Sequence, residues 1–385
     1  MRRWILRILL ALVLAIVVVG LWKREEITRL MAVNSLFAED RIVSNFSGMD
    51  DLFLVRSMSR GDTPVSPLPA GTPAEMPAGY DHWVTERNVT AMVVLHDGAI
   101  VFEEYYQGTE AEDLRIAWSI SKSWMSALFG ILVDEGAIAS IDDPVTLYAP
   151  ALTGTAYDGA RIKDVLQMSS GVVFDEDYLD FNSDINKMGR VIALGGSMDA
   201  FAAGLQDTSA APGEVWKYVS IDTHVLSMVL RGATERSLPE LMTEKVIAPL
   251  GLEADPFYLT DGYGVAFALG GLNLRTRDNA RFAQMFANGG TWQGQQIVPK
   301  DWVAASTTAS APKANGMGYG YQWWMPAGAP PGVFHGQGIY GQYIYVDQNR
   351  NVVIATNAAD RLFREAGVAD QNMAMFAEIA ALFDE

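Results

Sequence analysis

Ser119 and Lys122 are the residues whose types and spacing best fit covalent chemistry. The stretch from Met125 to Val133 that follows is apolar, which predicts a buried helix beginning near Ser119. Residues i and i+3 share one face of a helix, so the Lys122 ammonium would reach the Ser119 hydroxyl. A lysine whose pKa is lowered by burial can act as the base that activates a serine hydroxyl. We therefore predict a Ser119 nucleophile with Lys122 as its base, although serine is also a common helix N-cap.

The same spacing occurs a second time, at Ser310 and Lys313. There Pro312 would lie in the first helical turn, and residues 314–316, with the sequence Ala-Asn-Gly, cannot continue a helix. We reject this second match because its surroundings do not support a helix.

Two further segments carry residue types that fit a binding site. Tyr218 lies in a loop that leads into the apolar run Val225 to Leu230, and a half-buried packing role is the alternative to a chemical one.

The segment His335 to Gln342 contains three glycines that formally match the dinucleotide fingerprint. That fingerprint opens a helix, whereas a strand is predicted to follow here, so we reject the match. Glycines that lead into a strand do fit a backbone that a ligand approaches closely.

Taken together, these residues resemble the serine β-lactamase and penicillin-binding-protein superfamily, and within it the branch of 6-aminohexanoate-dimer hydrolases and related esterases. Ser119 and Lys122 match its Ser-x-x-Lys motif, and Tyr218 with Ser220 matches its Tyr-x-Asn motif, with serine in place of asparagine. The segment His335 to Gln342 is similar to its Lys-Thr-Gly strand. Further similar segments, within a resemblance that covers about residues 80–385, are residues 95–108, 166–171, 175–178 and 270–278.

The resemblance implies acyl transfer through a covalent acyl-enzyme. Ser119 would attack a carbonyl carbon, Lys122 and Tyr218 would move its proton to the leaving group, and water would release the acid. The backbone N–H groups of Ser119 and Ile339 would form the oxyanion hole. By similarity to the amide hydrolases of this branch, Tyr178 would hydrogen-bond the substrate near the scissile bond.

Departures from the family pattern bear on the substrate. Neutral or weakly basic residues around His335 replace the Lys-Thr-Gly cation, so we expect His335 and Gly338 to lie beside the substrate without a fixed positive charge. Ser220 in place of asparagine removes an amide that could bind an acyl side chain. Both differences favour an ester or a simple amide over a β-lactam.

The leading prediction is therefore a serine hydrolase that cleaves a small-molecule ester or amide and needs no cofactor. A D,D-peptidase or β-lactamase that acts on cell-wall peptides or β-lactams is one alternative, since it needs only a different pocket beside the same catalytic residues. A sensor or scaffold that is acylated without turnover is another. The sequence leaves the acyl group, the leaving group and the oligomeric state open.

Composition excludes several other classes of protein. The 385 residues include no cysteine, so disulfides, thiolate nucleophiles and cysteine-ligated metals are excluded. The 46 acidic residues outnumber the 28 basic ones, and the net charge of -18 makes nucleic acid a poor partner. The four histidines include no pair at metal-ligand spacing, so we expect no metal site.

Residues 1–22 predict a membrane anchor. From Trp4 to Trp22 the only charged residue is Arg7, and a helix of this length spans about 28 Å, close to the thickness of a bilayer core. A cleaved signal peptide is the alternative, but the small-x-small cleavage pattern is absent. We expect a single-pass protein of the bacterial inner membrane with a periplasmic catalytic domain, although basic residues at both ends of the span weaken the orientation signal.

The elements that must position these residues predict an α+β fold. Hairpins are expected at Val89 to Tyr106 and Gln342 to Thr356, and a helix at Ala366 to Phe383. Residues 119–250 between the hairpins are mainly helical in pattern. This order predicts an antiparallel sheet flanked by helices, with a helical insertion and one N-terminal transmembrane helix.

The same patterns predict the boundaries of the domain. We expect the hydrolase domain at residues 80–385, with a helical subdomain at about residues 140–265. Residues 23–79 are expected to form a juxtamembrane and proline-rich linker. Five prolines between Gly61 and Gly79 favour a stiff, extended linker or a wrapping arm there.

Overall fold

The structure is a computed structural model that describes residues 2–312 and 316–384. Met1, Glu385 and Lys313, the lysine of the rejected second match, lie outside the described residues. The helices are α1 (Arg2–Trp22), α2 (Arg24–Ser35), α3 (Ile42–Ser47), α4 (Met49–Leu52), α5 (Tyr80–Glu86), α6 (Ile120–Asp134), α7 (Val145–Tyr148), α8 (Ile162–Leu166), α9 (Asp184–Ala193), α10 (Met198–Ala203), α11 (Ile221–Thr234), α12 (Leu238–Met242), α13 (Ala248–Leu250), α14 (Thr276–Ala287), α15 (Lys300–Ser306) and α16 (Val368–Ala381), with a 3-10 turn at Pro150–Leu152 and a π-helical turn at Thr243–Ile247. The strands are β1 (Val55–Ser57), β2 (Val89–His96), β3 (Ala99–Tyr105), β4 (Arg115–Ile116), β5 (Phe257–Leu259), β6 (Leu272–Leu274), β7 (Thr291–Trp292), β8 (Gln295–Gln296), β9 (Gly318–Tyr319), β10 (Trp324–Met325), β11 (Val333–Gly338), β12 (Gln342–Asp347) and β13 (Val352–Ala358).

The main sheet of the described chain has seven antiparallel strands in the order β3-β2-β13-β12-β11-β10-β9. The first hairpin turns at Asp97 and Gly98, whose φ angles of 51° and 76° suit the type I′ turn that matches the twist of the strands. Strand β2 pairs with β13, with His96 opposite Val352, so the two predicted hairpins lie side by side. The predicted α+β class with an antiparallel sheet is confirmed.

Alternating side chains of the sheet build two hydrophobic layers. Val93 and Leu95 of β2 belong to the core that contains α6 and α14, whereas Met92 and Val94 belong to the core that contains α16. This period of two is the geometry of a strand buried on both faces. Helix α6 is itself buried along almost its whole length, so the residues at its start are held rigidly against the sheet.

Residues 24–58 form structure where the sequence predicted a linker. Helices α2, α3 and α4 place Ile42, Phe46 and Met49, all fully or almost fully buried, in the main core. Strand β1 pairs with β5 in a small sheet of order β1-β5-β6-β4. The linker prediction is wrong for this segment, because its packing partners come from parts of the sequence far from it.

The proline-rich residues 61–79 wrap along the domain. The backbone N–H of Gly71 donates to the Ile100 carbonyl, and that of Ala74 donates to the Val101 carbonyl. These bonds follow the outer side of β3, the edge strand of the sheet, and so cover backbone groups that would otherwise be open to pairing.

Helix α1 precedes the packed domain, and its side chains from Arg3 to Trp22 are not buried within it. By length and composition it could cross a membrane, and a signal sequence would have the same properties. Backbone hydrogen bonds from Lys23 to Val19 and from Ile27 to Lys23 carry the helical path into α2. The candidate membrane helix is therefore joined directly to a helix of the packed domain.

Candidate active site

Ser119 immediately precedes α6 and is partly exposed on the wall of a cleft. Its side chain does not cap the helix. Instead, Lys122 Nζ donates a hydrogen bond of 2.8 Å to Ser119 Oγ. The partial positive charge at a helix N-terminus favours negative charge on that oxygen. One turn of α6 thus brings the two side chains together in the arrangement that an activated serine needs.

Lys122 is buried, and its ammonium also donates a hydrogen bond of 2.7 Å to the Leu269 carbonyl oxygen. Burial lowers the pKa of Lys122 to about 7, while the nearby Glu176 carboxylate raises it. A large fraction of the amine is therefore neutral at neutral pH, and a neutral amine can accept the Ser119 proton.

Tyr218 joins this pair from the loop before α11. The Lys122 Nζ atom lies 5.3 Å from the centre of the Tyr218 ring, and the ring stacks on Trp324 at 5.5 Å. Burial and the Glu176 charge raise the pKa of Tyr218, while polar contacts with the Ser119 and Ser220 hydroxyls lower it. The phenol therefore keeps its proton at neutral pH and can donate it to a neighbouring group.

The backbone around Ser119 and Ile339 is arranged to present two N–H groups. Within the described residues, neither N–H donates to a protein acceptor. Gly338 lets β11 approach the start of α6, because a Cβ atom on it would lie 3.0 Å from Ser119 N and 2.8 Å from the Ala117 carbonyl oxygen. Any larger residue at 338 would push β11 away from the start of α6.

The aromatic residues next to these two amides have an unusual backbone conformation. Trp118, just before Ser119, has φ of 44°, and Tyr340, just after Ile339, has φ of 61°. Such left-handed conformations are rare for bulky residues and persist only where packing enforces them. The packing comes from the N-terminal segment, since Phe46 contacts Trp118 at 5.7 Å and Tyr340 at 5.8 Å between ring centres.

Phe37 completes the same aromatic cluster. Its ring stacks on Tyr340 at 4.5 Å and lies 5.8 Å from Trp118. Tyr340 contacts Phe363 in turn at 4.7 Å. Phe37, which follows α2, and Phe46 of α3 therefore pack against the aromatic residues next to the two N–H groups.

Tyr178 and Glu176 form a polar network beside Ser119. The Tyr178 hydroxyl donates a hydrogen bond of 2.8 Å to Glu176, and the Ser220 hydroxyl donates one of 3.2 Å to the same carboxylate. The Ser220 backbone N–H donates to Glu176 as well. Burial and the Glu176 charge raise the pKa of Tyr178, so its phenol stays protonated.

A cavity that is open to solvent lies beside these groups. Its wall includes Ser119, Tyr178, Ser220 and Ile339. Apolar residues of α2, α4 and the segments around them form much of the remaining wall, namely Val33, Leu36, Phe37, Met49 and Phe53. Ser119 is therefore accessible from a largely hydrophobic space.

Comparison with known proteins adds to this geometry. The sequence model of the family described as Beta-lactamase matches residues 82–374, which is most of the chain. The chain belongs to the beta-lactamase family. The predicted superfamily and the predicted hydrolase class are therefore confirmed.

Individual members of the family show the same relationship. The chain is 29% identical over 338 residues to the 6-aminohexanoate-dimer hydrolase of Paenarthrobacter ureafaciens, which covers 80% of this chain and 83% of that protein. The structure resembles a protein of Bacillus anthracis assigned as a 6-aminohexanoate-dimer hydrolase, with a TM-score of 0.77, 21% identity, and coverage of 90% of this chain and 95% of that one. It also resembles EstCE1, a hydrolase with promiscuous acyltransferase activity, with a TM-score of 0.58, 14% identity, and coverage of 79% and 96%. The beta-lactamase fold thus extends over most of this chain.

His335 does not lie beside the cleft of this family member. The side chain is fully buried, 3.2 Å from Gln337 Oε1 and close to the Trp324 and Tyr343 rings. Burial lowers the pKa of His335 to about 4, so the ring is neutral at neutral pH. The prediction that His335 contacts substrate is wrong, because successive strand residues point to opposite faces and Gly336 takes the position that faces α6.

The glycines of this segment also lie elsewhere than predicted. Gly336 and Gly338 are residues of β11, whereas we predicted a strand that begins after them. A Cβ atom on Gly336 would lie 2.9 Å from Ser123 Oγ. The strand carries glycines because it runs against α6 at the entrance to the site.

Glu176 is the site residue that sequence reasoning missed. The segment 175–178 was noted as similar to the family, but only Tyr178 was chosen from it. Glu176 is one of 46 acidic residues, and its partner Ser220 lies 44 residues away, so no local pattern marks it. Its proximity to Lys122, Tyr178 and Tyr218 becomes visible only in the folded chain.

Metal ligands do not gather in the part of the chain that the structure describes. No group of three or more histidine, aspartate or glutamate side chains there could hold an ion.

Proposed function

We propose that this chain is a serine hydrolase that cleaves an ester or amide bond through an acyl-enzyme on Ser119. The observation that carries the proposal is the hydrogen bond of 2.8 Å between Lys122 and Ser119 at the wall of an open cleft. Burial of Lys122, which lowers its pKa to about 7, supports a role as base.

In the acylation step, neutral Lys122 accepts the Ser119 proton as Oγ attacks the carbonyl carbon of the substrate. The carbonyl double bond becomes a single bond to a negatively charged oxygen, which the N–H groups of Ser119 and Ile339 stabilise. As the carbonyl re-forms, the bond to the leaving group breaks, and the Tyr218 phenol donates a proton to the departing oxygen or nitrogen. The Lys122 ammonium returns a proton to Tyr218, so the free enzyme's protons are restored.

In the deacylation step, water replaces the departed alcohol or amine. Neutral Lys122 accepts one proton from the water as the water oxygen attacks the acyl carbon, and the Lys122 ammonium later returns a proton to Ser119 Oγ. The second oxyanion forms in the same pair of N–H groups, and its collapse breaks the bond to Ser119 Oγ. The serine regains its proton, and the net reaction is hydrolysis to a carboxylic acid and an alcohol or amine.

The surroundings of the site support an ester or simple amide over a β-lactam. His335 is buried and neutral, so it offers no cation for a drug carboxylate. Ser220 hydrogen-bonds Glu176, and a carboxylate at this place repels an anionic substrate. We propose that Tyr178, which lines the cavity, hydrogen-bonds the substrate near the scissile bond, as the family resemblance implies.

We further propose that α1 anchors the protein in the bacterial inner membrane, with the hydrolase domain in the periplasm. The exposed apolar surface of α1 and its direct continuation into α2 support an uncleaved anchor. In a washed membrane fraction, the protein is expected to have the mass of the full chain. Protease added to spheroplasts is expected to digest the hydrolase domain. A mature protein that begins after Trp22 would contradict the anchor.

The central test of the proposed reaction is Ser119→Ala, assayed with p-nitrophenyl acetate and the matching p-nitroanilide. Loss of the nucleophile is expected to lower kcat by about 10⁴-fold or more. Ser126→Ala is the matched control on the same helix, because the Ser126 hydroxyl is buried without a hydrogen-bond partner. Undiminished turnover by Ser119→Ala would refute the proposal.

The alternatives are separated by their products. Muropeptides analysed by mass spectrometry test D,D-peptidase activity, and nitrocefin tests β-lactamase activity. A stable mass increase on Ser119 without release of acid would indicate a sensor or scaffold in place of an enzyme with turnover.

A further inference from the structure

The cavity beside Ser119 carries information about the substrate that the catalytic residues do not. We infer that it binds an aliphatic chain belonging to the acyl group of the substrate. This inference rests on the proposed function and adds the class of acyl group to it. The chain would lie against the N-terminal segment on one side and against α9 on the other, where Met188, Gly189 and Ile192 line the cavity.

Most polar side chains on the cavity wall are already paired, although Trp118 Nε1 has no hydrogen-bond partner in the described part of the chain. The Asn186 amide donates to backbone carbonyl oxygens, at 2.8 Å in the shortest case. Tyr178 and Ser220 both donate to Glu176. No charged side chain lines the described part of the wall, so apart from a few polar groups, among them the Ser119 and Tyr178 hydroxyls, the substrate meets apolar side chains. A charged or strongly polar acyl chain would lose its hydration without gaining a hydrogen-bond or ion-pair partner, which is unfavourable. An aliphatic chain needs no such partner and gains free energy when it leaves water.

The position of the cavity relative to the reacting groups assigns it to the acyl side. Ile339, whose N–H is proposed to bind the oxyanion, lines the cavity. Tyr218, proposed to protonate the leaving group, is not part of its lining and packs instead on Trp324. The leaving group must lie next to Tyr218, so the space beyond Ile339 is left for the acyl chain.

The wall of the cavity also connects the site to the candidate membrane helix. Val33 and Phe37 on the wall belong to the segment that continues from α1. On the same segment Ile27 and Met31, one turn apart, are 43% and 63% exposed. An aliphatic acyl chain could therefore come from a lipid ester in the bilayer or from a water-soluble ester, and the test below separates the two sources.

The first experiment measures kcat/KM for p-nitrophenyl esters from acetate to octanoate. The full chain is kept in detergent micelles, and each ester is used at concentrations below those at which it aggregates. Each methylene buried in the cavity is expected to raise kcat/KM by about fourfold until the cavity is filled. A parallel series of acetate esters of alcohols from ethanol to octanol is expected to show no such rise. A rise in the alcohol series instead of the acyl series would overturn the assignment to the acyl side.

A matched pair of substrates tests whether the cavity lacks a partner for a charged group on the acyl chain. The p-nitrophenyl esters of heptanoate and 6-aminohexanoate have chains of equal length that end in a methyl group or an ammonium group. Because no charged side chain lines the described wall, the ammonium ester is expected to react at least about a hundredfold more slowly in kcat/KM. Equal rates for the two esters would overturn an apolar acyl site.

Gly189 lies on the cavity wall, so a larger side chain at this position would occupy part of the cavity. A Cβ atom on Gly189 would meet nothing within 4 Å, and the residue lies inside α9, where leucine is a better helix former than glycine. Gly189→Leu is expected to lower the octanoate-to-acetate ratio of kcat/KM at least about tenfold, because the added side chain displaces several methylenes. Gly189→Ala should lower it less and serves as a second variant if the leucine protein does not fold.

The control for this variant is Lys187→Leu, which adds leucine to the exposed side of the same helix. Its octanoate-to-acetate ratio is expected to stay within twofold of the parent protein. An unchanged ratio in folded Gly189→Leu would overturn the inference.

The final arm places the full chain in phosphatidylcholine vesicles and measures released fatty acid by mass spectrometry. Release from the vesicles identifies membrane lipid as a source, and turnover of soluble octanoate alone identifies a water-soluble ester. Turnover of acetate that does not increase with acyl length would overturn the inference while leaving the proposed function in place. Absence of Ser119-dependent turnover on every ester would instead refute the proposed function.

Discussion

The two walls of the cleft differ in chemistry and in origin. The polar wall consists of Lys122, Glu176, Tyr178, Tyr218 and Ser220, which come from α6 and from loops of the helical part of the chain. The apolar wall consists of the cavity residues on α2, α4 and α9 and the segments next to them. The first wall contains the groups that are proposed to move protons, and the second consists mainly of side chains that cannot form hydrogen bonds.

This difference separates rate from selectivity. Changes to the polar wall should lower turnover of every substrate by a similar factor, because each proton transfer is shared by all of them. Changes to the apolar wall should alter the ratio between substrates of different chain length. The aromatic cluster of Phe37 and Phe46 lies between the two, since it contacts Trp118 and Tyr340 next to the proposed oxyanion hole.

The sharpest way to test the polar wall is to remove its proton carriers. Lys122→Ala and Tyr218→Phe are each expected to lower kcat/KM by about 10³-fold, and the double variant should lose far less than the product of the two. The reason is that the lysine and the phenol act on one proton. The loss should be equal for acetate and octanoate within about threefold, which follows from the separation of the walls.

Full additivity in the double variant would contradict a shared proton path. A loss that depends strongly on acyl length would show instead that Tyr218 belongs to the apolar wall. Both results can be read from the same set of steady-state measurements with p-nitrophenyl esters.

The aromatic cluster offers a test of intermediate size. Phe46 is fully buried and does not line the cavity, so it is a positioning residue and not a substrate contact. Phe46→Ala is expected to lower kcat about tenfold, with little change in the ratio of octanoate to acetate, because the backbone at Trp118 and Tyr340 loses its support. It should also destabilise the fold by about 3 to 5 kcal/mol.

Phe46→Leu separates positioning from stability, since it keeps most of the buried volume and should restore most of kcat. Assays are done at a temperature where thermal unfolding shows each variant to be folded. A change in the chain-length ratio without a change in kcat would place Phe46 on the apolar wall instead.

The two walls also differ in how far the sequence predicts them. Ser119 and Lys122 are three residues apart in a helix whose apolar pattern is continuous, so local rules predict their contact. The hairpin at Asp97 and Gly98 is predictable for the same reason. Local patterns of this kind need no knowledge of distant partners.

The apolar wall depends on packing between distant segments. Helices α3 and α4 have only six and four residues, too few to show a clear period, and their burial depends on contact with residues such as Trp118 and Tyr340. The side of β11 that faces α6 is also not predictable from the sequence, because the alternation of a strand defines two faces without revealing which of them meets the helix. The family resemblance placed His335 beside the substrate, but alternation turns its side chain to the other face.

The pH dependence of turnover provides the finest test of the polar wall. With the pKa of Lys122 lowered to about 7, kcat/KM should rise as the pH increases through about 7, because only the neutral amine accepts the serine proton. The Glu176 charge raises the pKa of Lys122, so Glu176→Gln should lower that pKa and move the rising limb to lower pH. At a fixed pH the change in rate is small, less than about tenfold for a shift below one unit.

Asp175→Asn is the matched control for this shift, because Asp175 is the neighbouring acid and is exposed. Its rising limb should coincide with that of the parent protein. If Glu176→Gln moved the rising limb to higher pH, the Glu176 charge would be lowering the pKa of the titrating group. A carboxylate raises the pKa of a neighbouring amine, so this result would contradict Lys122 as that group. An unmoved limb in that variant would show that Lys122 does not set the rate, and the division of labour between the two walls would have to be drawn without it.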